Sequence, residues 1–267
     1  MNLQDKTALI TGAARGIGQA TSVELAHAGA NIIGVDLKVE DLSETSKAVE
    51  QLGTKFYGFA CDVSDESSVR MLVKQAETTD GGFDILVNNA GVLPSGPFLE
   101  RDFEVWRRTI DINLTGLMML TYVALPHLFA RKVGHIVNIA SIAGKFGTEG
   151  VAVYAASKHG VVGFSSALRF ELQQKNIGVS WICPSLVNTR MSSDVQYTFL
   201  TPKVEPETIA RAVRQAIETN ATELFVPRRV RLAVSILPSL APRFSRWLTR
   251  VTKASKGWLI AKKELAA

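Results

Sequence analysis

Short apolar runs rich in β-branched residues recur along the chain, and between them apolar positions repeat at helical spacing. The runs at 6–11 (KTALIT), 31–36 (NIIGVD), 55–60, 84–88 (DILVN), 134–140 (GHIVNIA), 178–183 (GVSWIC) and 222–227 read as strands. The stretches 16–28, 40–52, 65–79, 103–131, 152–175 and 205–219 read as helices. Runs that are apolar on both faces need helices above and below them, as in a parallel sheet. Right-handed crossovers then predict an α/β fold: a doubly wound parallel sheet of Rossmann type, about seven strands wide, with helices on both faces. Ligands of such sheets bind beyond the carboxyl ends of the strands. No repeat, low-complexity segment or linker interrupts the pattern before residue 228, so 1–227 is expected to form one domain and 228–267 a helical C-terminal extension.

Composition narrows the class. A length of 267 residues suits one domain with an ample core. Cys61 and Cys183 lie far apart without a Cys-x-x-Cys spacing, as expected of reduced core residues in a cytoplasmic protein. The chain enters its first strand with no charged leader and apolar stretch, which argues against secretion. No uninterrupted apolar run reaches the ~20 residues of a membrane span. His27, His127, His135 and His159 show no ligand spacing, and no metal is expected. Net charge is +5, but residues 228–267 hold ten Lys/Arg against the single acid Glu264, so 1–227 is mildly acidic.

Thr11-Gly12-Ala-Ala-Arg15-Gly16-Ile17-Gly18 follows the first strand and opens the first helix. Glycines there permit a tight turn and let backbone N–H groups approach a pyrophosphate, with the helix N-terminus adding partial positive charge. The spacing is G-x-x-x-G-x-G, and no Lys-Ser/Thr follows it, which excludes a P-loop. Asp36 ends the second strand, where a carboxylate accepts from ribose hydroxyls and repels a 2′-phosphate. That favours NAD over NADP, although the cations Arg15 and Lys38 stand nearby. Asp62, beside Val63 at the end of the third strand, is placed to accept from an adenine amino group. The small and amide residues Asn89, Ala90 and Gly91 at the end of the fourth suit contact with adenosine.

Tyr154-Ala-Ala-Ser-Lys158 begins a helix, and the i, i+4 spacing puts both side chains on one face. An ammonium ~4–5 Å away would draw the phenol from near ~10 to near ~8, a useful range for acid–base work. Ser141 ends the fifth strand, where its hydroxyl would hold a substrate oxygen beside the tyrosine.

On these residues the chain resembles the short-chain dehydrogenase/reductase family from residue 5 to about 227. The match runs through Thr11–Gly18, Asp62, Asn88–Gly91, Asn113, Ser141, Tyr154, Lys158 and Pro184–Thr189. The resemblance implies a nicotinamide-dependent oxidoreductase interconverting an alcohol and a carbonyl, with Tyr154 as acid/base and Ser141 as the polarising donor. It implies that Lys158 also holds the nicotinamide ribose, and that Asn113 kinks its helix and anchors a relay water. Ile17, Pro184, Val187 and Thr189 would meet the cofactor, and dimers or tetramers would form through the helices at 103–131 and 152–175. Pro184-Ser185 replaces the family's usual Pro-Gly. A narrower similarity, over CPSLVNTRM, VEPETIARAV and ELFVPRRVRLAVSILPSLAPRF, is to lipid-droplet 17β-hydroxysteroid and retinol dehydrogenases, implying an apolar alcohol or carbonyl substrate.

The extension carries one further pattern. In 243–256, Phe244, Trp247, Leu248 and Val251 form an apolar stripe opposite Arg243, Arg246, Arg250, Lys253 and Lys256. Such a helix suits either a peripheral contact with an anionic membrane or packing on the protein, and no motif for nucleic acid accompanies it. Two other functions fit the chain less well. Gly163-Phe-Ser165-Ser-Ala167 lies within a helix, not at a hydrolase elbow. A binding-only NAD sensor would not need Asn113, Ser141, Tyr154 and Lys158 together.

Overall fold

The computed structural model describes residues 1–192, 202–241 and Arg243. Strands β1 (Thr7–Thr11), β2 (Asn31–Asp36), β3 (Phe56–Ala60), β4 (Ile85–Asn88), β5 (Gly134–Ile139), β6 (Ile177–Pro184) and β9 (Glu223–Val226) form one sheet. Its order is β3-β2-β1-β4-β5-β6-β9, and every pairing is parallel. The seven strands fall where the sequence predicts them. A second sheet of two short strands, β7 (Leu186–Val187) and β8 (Lys203–Val204), has too few residues to show a periodicity.

Strand alternation supplies a core on each face. Ala8, Ile10, Ile85, Val87, Val137 and Ile139 point to one side, where α1 (Gly16–His27) and α7 (Pro206–Thr219) cover them with Leu25, Ile209, Val213 and Ile217. Leu9, Ile33, Leu86 and Ile136 point to the other. There α3 (Glu66–Thr78), α5 (Leu117–Arg131) and α6 (Ala152–Leu172) seal them with Leu72, Leu120, Leu128 and Leu168. The short α2 (Ser43–Glu50) flanks the β3 edge. β1 and β4 are paired from Ala8 and Ile85 to Ile10 and Val87, but the chain leaves them to opposite sides, because it winds outward through β2 and β3 and then returns. That reversal opens a crevice at the carboxyl ends of both strands.

The predicted 103–131 helix is built in three parts: α4 (Phe103–Ile110), a π-helical turn (Asp111–Gly116) and α5. By length and composition it would also pass as a membrane span, which the run-length reading of the sequence missed. Its inner face is core, with Leu117, Leu120, Ala124 and Leu128 buried. Gly116 allows the tight approach at the turn, since a Cβ there would lie 2.5 Å from the Val63 carbonyl oxygen.

The predicted boundary at 228 is not a break in packing. Val230 and Val234 are buried against Leu117, Ile142 and Phe225. A π-helical turn (Leu232–Ile236) leads into α8 (Leu237–Leu240). Of the 243–256 stripe only Arg243 lies within the described residues.

At the amino ends of the strands Asp84, fully enclosed, accepts from the Thr7 amide (3.1 Å) and from Arg131 (2.7 Å). His135 on β5 is also buried, 2.8 Å from the Ser180 hydroxyl, and burial pushes its pKa down to about 3. A histidine in the unfolded chain titrates near ~6.5. Between those values the unfolded state binds the extra proton, so stability falls as pH drops through that window. The slope from this one group is up to about 1.4 kcal/mol per pH unit. Urea unfolding at pH 7, 6 and 5 should show that decline, and His135→Asn should flatten it. An unchanged slope in the variant would assign the acid sensitivity to other groups.

Candidate active site

The crevice is a cavity of about 950 Å³ that runs from the β1–α1 loop to the start of α6. At its first end Gly12 (φ +66°) and Gly16 (φ +58°) adopt left-handed backbone, which turns the chain sharply from β1 into α1. A Cβ on Gly18 would meet the Gly12 carbonyl oxygen at 2.0 Å, so this glycine closes the loop from behind. Gly18 is not among the residues lining the cavity, and its place in the structure is behind the loop. Arg15 sits at the N-cap without capping through its side chain, and the first turn of α1 holds no acid. The first-turn amides and the positive helix end therefore face the cavity with no carboxylate in that turn to quench them.

Asn89 fixes this loop to β4. Its Nδ2 donates to the carbonyls of Thr11 (2.8 Å) and Gly12 (3.1 Å), while the Thr11 hydroxyl accepts from the Asn89 and Ala90 amides at 3.0 Å each. Asp36 accepts from the Ala14 and Leu37 amides, both at 2.9 Å, and stays half-exposed on the wall with lone pairs to spare. Arg15 reaches Asp41 at 3.4 Å. Asp62 accepts from Ser64 through its amide (2.9 Å) and its hydroxyl (2.6 Å). Ile17, Val63, Ala90 and Gly91 complete this half of the wall.

At the other end Ser141 leaves β5, and its Oγ accepts from the Ala143 amide at 3.1 Å. Tyr154 lies in the first turn of α6 and Lys158 one turn later, and all three side chains line the cavity. Lys158 Nζ donates to the Ile139 carbonyl at 2.8 Å and stands 5.9 Å from the centre of the Tyr154 ring. Burial pushes the Tyr154 phenol up to about 12, against a smaller downward pull from the Ser141 hydroxyl, and pulls the Lys158 ammonium down to about 8. This corrects the expectation of a phenol lowered by its lysine. The i, i+4 spacing brings the pair together, but the ammonium is aimed at a backbone carbonyl, so desolvation outweighs its field.

Asn113 occupies the π-turn and is buried behind the wall. Its side chain accepts from the Val92 amide (2.8 Å) and donates to the Val92 carbonyl (2.9 Å) and to Ser157 Oγ (3.2 Å). Ser157 in turn donates to the Tyr154 carbonyl at 2.7 Å. Asn113 thus reaches the first turn of α6 through one hydroxyl. Pro184, Val187 and Thr189 close the cavity from the β6 side. Thr189 faces the glycine loop so closely that a Cβ on Gly16 would come within 3.1 Å of its methyl. Ser185 also lines the cavity, and its buried hydroxyl has no hydrogen-bond partner. Arg108, Ile112 and Glu207 join the wall without any signal in the sequence, because α4, the π-turn and α7 carry them in from distant positions.

Residues 6–198 match the profile of the short chain dehydrogenase family. The chain belongs to the short-chain dehydrogenase/reductase family. It is 35% identical over 259 residues to a ketoacyl reductase, HetN, of a Nostoc species, covering 92% of this chain and 90% of that one. It is 32% identical to mouse 17-beta-hydroxysteroid dehydrogenase 13, covering 90% of this chain and 79% of the relative. A family member from Burkholderia phymatum, solved in complex with NAD, superposes with a TM-score of 0.79 at 26% identity, covering 87% of this chain and 94% of that one. The chain is accordingly an oxidoreductase acting on CH–OH groups.

The cradle left by the glycines, the uncapped amides and the orphaned Ser185 hydroxyl together fit a nicotinamide dinucleotide. Gly18→Ala tests the loop: the 2.0 Å clash requires the turn to open, and NADH affinity by fluorescence titration should fall at least about tenfold. Undiminished affinity would show that the loop does not bear on the cofactor.

Proposed function

We propose that the protein is an NAD-dependent dehydrogenase/reductase for an apolar alcohol or its carbonyl counterpart, with Tyr154 as the acid/base. One observation carries the reading: Tyr154, Lys158 and Ser141 open onto the same cavity as the amide-lined glycine loop. Nicotinamide, when bound, supplies the hydride acceptor or donor. Ser141 holds the substrate oxygen, and Tyr154 Oη gives it a proton during reduction or takes one during oxidation. Lys158 would hold the cofactor ribose, and its ammonium sets a positive charge 5.9 Å from the centre of the Tyr154 ring. Asn113 acts through Ser157 to position the first turn of α6 and to anchor the relay water. Around the cofactor, Gly12, Arg15, Gly16, Ile17, Asp62, Val63, Asn89, Ala90, Gly91, Pro184, Val187 and Thr189 form the contacts, with Gly18 shaping the loop from behind.

Asp36 favours NAD. Its two backbone hydrogen bonds hold the carboxylate at the end of β2, where it would repel a 2′-phosphate, and Arg15 is engaged by Asp41. Val92, Leu93, Ile112, Ile142, Leu186 and Met191 make the substrate side apolar, which supports a lipophilic substrate. Exposed Tyr122, Phe129 and Phe170 on α5 and α6 support a homodimer or homotetramer through those helices. We place the protein in the cytoplasm, with peripheral membrane contact through 243–256.

Three outcomes test this. Tyr154→Phe should remove turnover, by more than about a thousandfold, while NADH affinity stays within about twofold. Retained turnover would take the phenol out of the reaction. Asp36→Ala should narrow the ratio of kcat/KM for NAD over NADP by at least about tenfold, and an unchanged ratio would dismiss the carboxylate as selector. The third concerns pH. A phenol held near 12 keeps its proton at neutrality, so reduction finds its proton in place whereas oxidation must first remove it. Oxidation of an alcohol should therefore accelerate from pH 7 to 10, and reduction should decline above about 8 as Lys158 loses its charge. Matching profiles in both directions would refute that assignment of the two groups.

A further inference from the structure

We infer that the helix after β9 docks the protein on an anionic lipid surface through Leu232, Ile236 and Leu240. The helix is apolar on two sides. Its inner side, Val230 and Val234, is already buried against Leu117, Ile142 and Phe225. On its outer side Leu232, Ile236 and Leu240 are 63%, 40% and 80% exposed. Hydrogen bonds of the i→i+5 kind over Leu232–Ile236 widen the turn, so residues four apart fall nearly in line and these three make one ridge. A helix with one face satisfied by the core has no need of a second apolar face in water.

Charge selects the partner. Arg228, Arg229, Arg231 and Arg243 flank the ridge and are exposed, and no acid occurs between Glu223 and Glu264. An apolar ridge bordered by arginines alone matches a layer of acyl chains under anionic headgroups. A second copy of this chain would bring the same positive charge to the contact and repel it. The ridge also sits beside the cavity, since Ile142 belongs both to the cluster under the helix and to the cavity wall. Docking there would hold the substrate side near a pool of apolar alcohols, so the inference deepens the proposed use of an apolar substrate and rests on it for its purpose.

The test is co-sedimentation of the full-length protein with vesicles of phosphatidylcholine, with or without phosphatidylglycerol. The wild type should pellet with the anionic vesicles only and be released by added salt. The double variant Ile236→Asp, Leu240→Asp should bind at least about tenfold more weakly. Both positions lie outside the cavity wall, so NADH affinity and turnover of a water-soluble alcohol should not change. Absence of wild-type binding, or equal binding by the variant, would overturn the inference. So would a loss of self-association by the variant with vesicle binding intact, which would assign the ridge to a second copy. Vesicle binding without turnover of any apolar alcohol would leave the docking face standing and remove the substrate reading instead.

Discussion

Asn89 stands just past β4, where the two windings of the chain diverge, and its carboxamide nitrogen holds the carbonyls of Thr11 and Gly12 at the end of the neighbouring β1. The crevice beyond the last paired residues of β1 and β4, Ile10 and Val87, is a liability in a packed interior, because backbone groups there have no partner across the pair. Here the Thr11 hydroxyl and the Asn89 side chain satisfy those groups, and the gap stays open without a polar penalty. The glycine loop can then turn through left-handed backbone and deliver the start of α1 into the opening. The remainder of the site is assembled on strands whose ends this staple ties together.

A second polar chain continues the same task below the surface. Asn88 donates to Thr121 (3.0 Å) and Asn138 (2.9 Å), and Asn138 donates to Ser165 (2.8 Å). These four buried groups tie β4 and β5 to α5 and α6, directly under the helix that carries Tyr154 and Lys158. Polar groups of this kind are demanding of geometry, since each lost partner costs about 1–3 kcal/mol. They fix how α6 sits on the sheet more narrowly than apolar contact would.

Much of this was legible in the chain itself. The seven strands were marked by apolar runs, and the glycine loop, Asp36, Ser141, Tyr154 and Lys158 by their positions at strand ends or one helical turn apart. What escaped was set by direction and distance in space. The spacing of Tyr154 and Lys158 predicted proximity correctly, but nothing in it encoded that the ammonium would turn to the Ile139 carbonyl. The part Gly18 plays in closing the loop emerges only in the folded backbone, where a Cβ on it would lie 2.0 Å from the Gly12 carbonyl oxygen. Strands β7 and β8 are too short for a period to emerge, and Arg108 reaches the wall only because α4 is laid across it.

The π-turn at Asp111–Gly116 inserts, in effect, one extra residue into a helix that would otherwise run straight through. That residue sets the phase of everything after it. Each residue advances an α-helix by about 100°, so removing one from the turn would swing Leu117, Leu120, Ala124 and Leu128 away from the sheet. The same turn gives Asn113 its grip on Val92 and Ser157. The seating of the first turn of α6 and the hydrophobic register of α5 are thus set by one short stretch of backbone, and a change of length there would disturb both.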